Sequence, residues 1–270
     1  MLKTLWHRTY ADFLMRDRLH VLERLLTAFL DAGYEFNSVL GFWQRARHDP
    51  PNTNGLQIVL RHDIDTDART ARRMWRLERS LGIASTYYFR LCTAEVPLMR
   101  EIDASGCEAS YHYEELASYA KQTGLRRREV LEALPSIRAL FRRNLLLLRQ
   151  RTGLAMRTVA SHGDFVNRKL GLNNTILLTD EALRRELDIH CDAYDADFLC
   201  HIAARASDAM SPVEWNFNNP YLLLQRRASP LLLLIHPRQW HADAWTNLRD
   251  DTGRLWEGLR YGWASPLSVG

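Results

Sequence analysis

The stretch Leu56–Asp65, LQIVLRHDID, decides how this chain is read. Leu56, Ile58, Val59 and Leu60 give it the look of a buried strand, and it ends abruptly in charge. Along an extended backbone, residues i and i+2 share a face, so Asp63 and Asp65 are expected to project together from the strand's end with Arg61 behind them. Two carboxylates in one small space repel unless a cation or a proton lies between them. The pair therefore asks for a metal, a basic partner or acid–base chemistry. A plainer reading competes with this one. Asp65, Thr66 and Asp67 precede a helical pattern through Ala68, Ala71, Met74, Trp75 and Leu77, and carboxylates cap helix N-termini without any catalytic purpose.

Before this stretch, residues 11–32 carry a helical apolar stripe (Phe13, Leu14, Leu19, Leu22, Leu25, Leu26, Phe29, Leu30) that stops at Gly33. A strand is expected over Tyr34–Val39 and a loop over Arg47–Gly55, where two prolines sit among Asn and Asp. After it come a helix over 67–81, a strand over Ala84–Leu91, and a short helix opened by Pro97 and closed by Gly106. Cys107–His112 reads as a strand ending in histidine, and 125–152 as long helix broken near Pro135. Met156–Ser161 is again a strand, running into His162. Helix is expected near 180–187, Asp188–Asp197 is indistinct, and LLLLIHPRQW gives an apolar strand that stops at His236.

Several apolar segments divided by helices thus end in His or Asp and enter polar loops. In α/β barrels the loops after the strands gather on one face, and that face holds the active site. Asp63, Asp65, His112, His162 and His236 all fall at such ends, which points to a functional cluster. His7, His20, His48, His201 and His241 lie in helical or loop contexts and read as surface or packing residues.

Composition narrows the class. A chain of 270 residues with 46% hydrophobic content can bury a large core, and no linker or repeat divides it. The net charge of +4 is the difference between 36 basic and 32 acidic residues spread along helices, which argues against nucleic acid as partner. No apolar run is long enough to span a bilayer, and residues 1–17 lack a signal-peptide pattern, so a cytoplasmic protein is expected. Cys92, Cys107, Cys191 and Cys200 are widely spaced and suggest neither a disulfide framework nor a zinc knuckle.

Taken in order, RHDID (61–65), the glycine-led SYH segment (106–112), SHGD (161–164) and LIHP (234–237) resemble the polysaccharide deacetylase superfamily, carbohydrate esterase family 4. The resemblance covers about Tyr34 to Trp240. It implies a distorted (β/α) barrel of about seven strands over 34–270, with 1–33 as a helical segment packed on it. It further implies a metal-dependent hydrolase that cleaves an amide (C–N) or ester acyl group from a sugar, in a divergent branch serving bacterial surface polysaccharide biosynthesis. On that pattern Asp63 is the general base, Asp65 a metal ligand beside His112, and His236 the general acid.

The family's second motif supplies another histidine four residues after the first, where this chain has Leu116. His162 is the best substitute as third ligand, with Glu115 or Glu114 next. Arg157, or alternatively Arg61, stands for the family's arginine against the base, and Asp192 or Asp208 is expected to orient His236. Zinc suits the donors best, with manganese, iron or cobalt as alternatives. The expected substrate is an acylated sugar on a nucleotide-linked or lipid-linked precursor, with Trp43, Tyr111, Tyr113, Trp215 and Trp240 as candidates for ring stacking, though each also fits a core. A DxD-type glycosyltransferase and a non-catalytic carbohydrate-binding descendant are the rival readings.

Overall fold

The computed structural model describes residues 6–7, 9–48, 55–209 and 215–263. Among them, nine strands form one sheet: β1 (Tyr34–Asn37), β2 (Leu56–Ile64), β3 (Thr86–Phe89), β4 (Glu108–Tyr113), β5 (Thr158–Ser161), β6 (Cys191–Asp192), β7 (Ala204–Asp208), β8 (Trp215–Asn216) and β9 (Leu231–Ile235). Their order is β6-β5-β4-β3-β2-β9-β7-β8, parallel except between β7 and β8. The LQIVLRHDID strand is central. Its first half pairs with β1 (Tyr34↔Leu56 to Asn37↔Val59), its second half with β3 (Arg61↔Thr86 to Ile64↔Phe89), and β9 takes the opposite edge. The fold is α/β with a curled sheet. The expected barrel of about seven strands needs correcting in two respects: there are nine strands, and no ladder joins β6 to β8 among the described residues.

Alternation along the strands sorts side chains to two faces. Outward, Ile58 and Leu60 of β2 with Leu231, Leu233 and Ile235 of β9 bury Leu22, Leu25, Leu26 and Phe29 of the Leu19–Asp31 helix. A larger outer core joins Ile64, Phe89, Tyr111, Tyr113 and Val159 to helices Ala68–Ser80, Glu115–Thr123 and Leu134–Thr152. Inward, Val59, Tyr88, Ala160, Cys191 and Leu232 pack on Val39, Phe42, Trp43 and Ala46 of a helix over Val39–His48. This inner helix floors the concave face and leaves the C-terminal strand ends open above it.

The Val39–His48 helix begins where the sequence pattern suggested strand. Its first amide groups are satisfied by distant side chains: Val39 N donates to Thr86 Oγ1 at 2.8 Å and Leu40 N to Glu108 Oε2 at 3.1 Å. Burial raises the pKa of Glu108, whose carboxyl also accepts from Thr86 and Thr158. Such capping from another strand leaves no local signature. The expected loop at Arg47–Gly55 is helical through His48, and residues 49–54 lie outside those described. Pro135 sits in the first turn of the Leu134–Thr152 helix, where a missing N–H costs nothing, and Gly153 ends that helix at φ 77°. Within residues 188–197, which the sequence left indistinct, Cys191–Asp192 form the two-residue β6 and Ala196 opens a short helix to Leu199, and β7, β8 and the Ala244–Trp263 helix were unforeseen. No described helix is long and apolar enough to cross a membrane.

Candidate active site

Asp63 and Arg61 face inward from β2. Arg61 Nε and Nη2 donate to the two oxygens of Asp63 at 2.8 and 2.7 Å, with both side chains buried. The guanidinium lies 5.3 Å from the Tyr88 ring centroid and 4.4 Å from that of Tyr194, an aromatic sandwich that favours a buried cation. Burial alone would raise the Asp63 pKa, but Arg61, with His112 and His236, outweighs it and keeps the carboxylate ionised. The competing capping role belongs to Asp67, whose Oδ1 accepts from Thr70 N at 2.9 Å. Asp63 and Asp65 are thereby free of that duty.

Three strand ends converge on Asp65 Oδ1. His112 Nε2, at the end of β4, lies 3.3 Å from it, and His162 Nε2, just beyond β5, lies 3.5 Å from it. His112 Nδ1 contacts Ala160 O at 3.0 Å, which turns Nε2 toward the carboxylates. His162 N donates to Tyr113 O at 2.8 Å, so the backbone stays clamped to β4, and its Nδ1 lies 3.4 Å from Glu114 Oε2. Arg90, following β3, grips Glu114 through two bonds of 3.0 and 2.9 Å and the Asp65 carbonyl through one of 2.9 Å. Burial would raise the Glu114 pKa, but His162 and Arg90 hold it far below the usual carboxylate range. Asp65 is likewise held well below its ordinary value against the effect of burial, by His162 and His112.

These three donors fit a metal. Two ligands each about 2.0–2.1 Å from a tetrahedral zinc stand about 3.3–3.4 Å apart, close to the separations seen here. Asp65 Oδ1 is moreover buried without a hydrogen-bond partner, and the donor atoms of Asp65, His112 and His162 all lie within 4.8 Å of one another. The contact from Ala160 O to the far ring nitrogen of His112 is the one expected of a ligating histidine, while His162 Nδ1 faces Glu114 at 3.4 Å without a hydrogen bond.

His236 follows β9. Asp208, at the end of β7, accepts from His236 N at 2.7 Å and lies 2.6 Å from its Nδ1, while Trp240 Nε1 donates to Asp208 at 2.8 Å. Burial would lower the His236 pKa, but the Asp208 charge and hydrogen bond prevail and push it up to about 9. Asp63, Asp65 and His236 line one cavity of about 400 Å³ together with Ser207, Arg238 and Arg254. A second cavity of about 410 Å³ shares Asp65, Thr66 and Arg254 with it and extends past Arg90, Lys121 and Arg249.

The structure therefore brings together all five strand-end residues singled out in the sequence. It also resolves several alternatives. Arg157 pairs with Asp188 at the surface, so Arg61 is the arginine against Asp63. Asp192 accepts from Tyr113 and Tyr194 N, and burial pushes its carboxyl up to about 6, so Asp208 is the residue that holds His236. Glu115 turns away to Tyr111 and Asn144, Glu114 braces the far side of His162, and Leu116 is fully buried in the outer core.

The expected stacking rings are elsewhere. Tyr111 and Tyr113 are sealed in the outer core, Trp43 packs on the floor, Trp240 secures Asp208 and Trp215 packs against Trp240 at 5.9 Å. None lines either cavity. Arg90 and Tyr194 were missed, although Arg90 directly follows the YYF strand in the same position as the other site residues. No family model matches this chain, and no curated protein matches it either.

Proposed function

We propose that this chain is a metal-dependent hydrolase that removes an N-acyl or O-acyl group from a sugar or sugar precursor, on a distorted (β/α) barrel of the polysaccharide deacetylase type. The observation that carries the reading is the convergence of Asp65, His112 and His162 beside an arginine-held Asp63 and an aspartate-held His236 at one cavity.

Asp65, His112 and His162 would hold a divalent cation, zinc by its fit to two imidazoles and a carboxylate, with manganese, iron or cobalt as substitutes. When bound, the cation supplies a Lewis acid that polarises the acyl oxygen and acidifies water. Asp63 accepts the proton of the attacking water. Arg61 fixes both oxygens of that base in place, so the carboxylate need not reorganise as the proton moves. His236, protonated, donates to the leaving nitrogen or oxygen, and Asp208 holds the ring in the tautomer and orientation for that step.

The charged walls of both cavities suit a polar substrate such as an acylated sugar on a nucleotide-linked or lipid-linked precursor. A glycosyltransferase of the DxD kind would account for the two carboxylates but gives no role to His112 and His162, which lie against Asp65 here.

Elemental analysis beside hydrolysis of an acylated amino sugar tests the reading. Wild type is expected to carry about one divalent metal per chain, and Asp65→Ala or His112→Ala to lose it with the fold intact. Asp63→Asn should keep the metal while turnover falls on the order of a hundredfold or more. Full metal occupancy in both ligand variants, or wild-type turnover in Asp63→Asn, would overturn it.

A further inference from the structure

The Ala244–Trp263 helix carries three kinds of surface. Asn247 and Tyr261 are buried: Asn247 Nδ2 donates to Asp12 O at 2.8 Å, and Tyr261 OH to Leu125 O at 3.0 Å. Arg249, Arg254 and Glu257 line the second cavity. The remaining face is apolar and open to solvent, with Trp245 77%, Leu248 43%, Leu255 65% and Leu259 41% exposed. At 3.6 residues per turn these four side chains fall within an arc of about 80°, roughly opposite the buried one. The Tyr10–Leu14 turn, joined to the helix by the Asn247–Asp12 bond, places exposed Phe13 and Leu14 next to it.

The charges of the helix are arranged unevenly. Its three acids are all engaged: Asp250 by Arg238 and Arg254, Asp251 by Arg238, and Glu257 by Lys121. Arg249 and Arg260 are exposed and have no acidic partner among the described residues. By the same helical geometry they flank one border of the apolar arc, about 40–60° from Trp245.

We infer that the Ala244–Trp263 helix docks this protein on an anionic membrane surface through Trp245, Leu248, Leu255 and Leu259, with Arg249 and Arg260 facing the lipid phosphates. An exposed Trp/Leu stripe bordered by free arginines is the arrangement by which a helix lies in the bilayer interface. A second copy of the chain packed helix against helix is a poorer occupant, because the stripe's free charges are of one sign and the helix's own acids are already paired. The same helix walls the second cavity on its other side, through Thr246, Asp250, Gly253 and Glu257.

Co-sedimentation with vesicles tests the docking without reference to catalysis. Wild type should pellet with vesicles of mixed phosphatidylcholine and phosphatidylglycerol. The double variant Trp245→Ser/Leu255→Ser should lose partitioning on the order of tenfold or more. Arg249→Glu/Arg260→Glu should lose on the order of tenfold on the mixed vesicles and change little on phosphatidylcholine alone. Circular dichroism matching wild type shows that these surface changes leave the fold intact. Wild type remaining in the supernatant overturns the inference, as does light scattering that finds a dimer which Trp245→Ser/Leu255→Ser converts to monomer.

Discussion

Two histidine–carboxylate pairs sit almost back to back in this protein and have different fates. His62 of β2 pairs in register with Ile235 of β9, so His62 and His236 are one step apart along neighbouring strands but on opposite faces of the sheet. Outward, His62 Nε2 lies 2.7 Å from Glu78 Oε1, and both side chains are wholly buried. The imidazole stacks on Tyr87 at 4.3 Å, and Glu78 takes hydroxyl bonds from Ser85 at 2.6 Å and Tyr87 at 2.7 Å. Inward, His236 and Asp208 approach at 2.6 Å, but a quarter of the His236 side chain is accessible and the pair borders the 400 Å³ cavity. The chemistry of the pairs is the same. What separates the two histidines is the space beside them, and a sequence motif such as RHDID, which contains both faces, does not display that space.

The largest effect that would test this contrast lies on the sealed side. Glu78→Ala removes the carboxylate beside the buried His62 and leaves the Ser85 and Tyr87 hydroxyls without their shared acceptor, and should cost about 3–5 kcal/mol of unfolding free energy in a denaturant titration. Metal content should not change. A loss below about 1 kcal/mol, the usual worth of an exposed pair, would show that the outer pair is not the buried brace described.

A smaller effect is expected on the open side. The His236 pKa is raised above its ordinary 6.5 to about 9, so the protonated donor persists below that value and is lost as pH rises through it. With His236 as the proton donor proposed above, turnover should fall on the alkaline side near pH 9. Asp208→Asn removes the charge that raises the pKa while keeping the shape, and should move that limb down toward 6.5. The midpoint of the alkaline limb in a pH–rate profile checks this; an unmoved midpoint would assign the limb to another group.

How much could be read in advance follows the same division. The strand-end residues were legible because each closes an apolar run, and alternation places Arg61, Asp63 and Asp65 on one face without further knowledge. The apolar periodicity also located the Ala68–Ser80 helix to within a residue at each end, whereas the stripe read over 11–32 is one α-helix only from Leu19, with a separate Tyr10–Leu14 turn before it. Strand β7, ARASD, has no bulky apolar residue, because its neighbour β9 supplies the core there, so the strand that carries Asp208 was silent. The choice between Arg61 and Arg157, or Asp208 and Asp192, depended on contacts between segments far apart in the chain. So did the bracing of His162 by Glu114 and Arg90.

The floor of the site carries a consequence for the order of folding. The Val39–His48 helix has its leading amides satisfied by Thr86 and Glu108, residues 47 and 68 positions further along the chain. Until β3 and β4 stand side by side, those amides have no such acceptors, and a ten-residue helix alone is marginal in water. Contacts of this sequence separation close late, because chain entropy is lost before they form. The hypothesis is that the sheet condenses first and the inner helix seats afterwards. Kinetic φ-values near zero for Phe42→Leu and Ala46→Gly, against high values in β2 and β3, would fit that order, and values near one in the helix would reverse it. On this order the chain assembles its strand ends around an unfloored hollow, and the face that carries the histidine and aspartate cluster becomes rigid only in the last stage of folding.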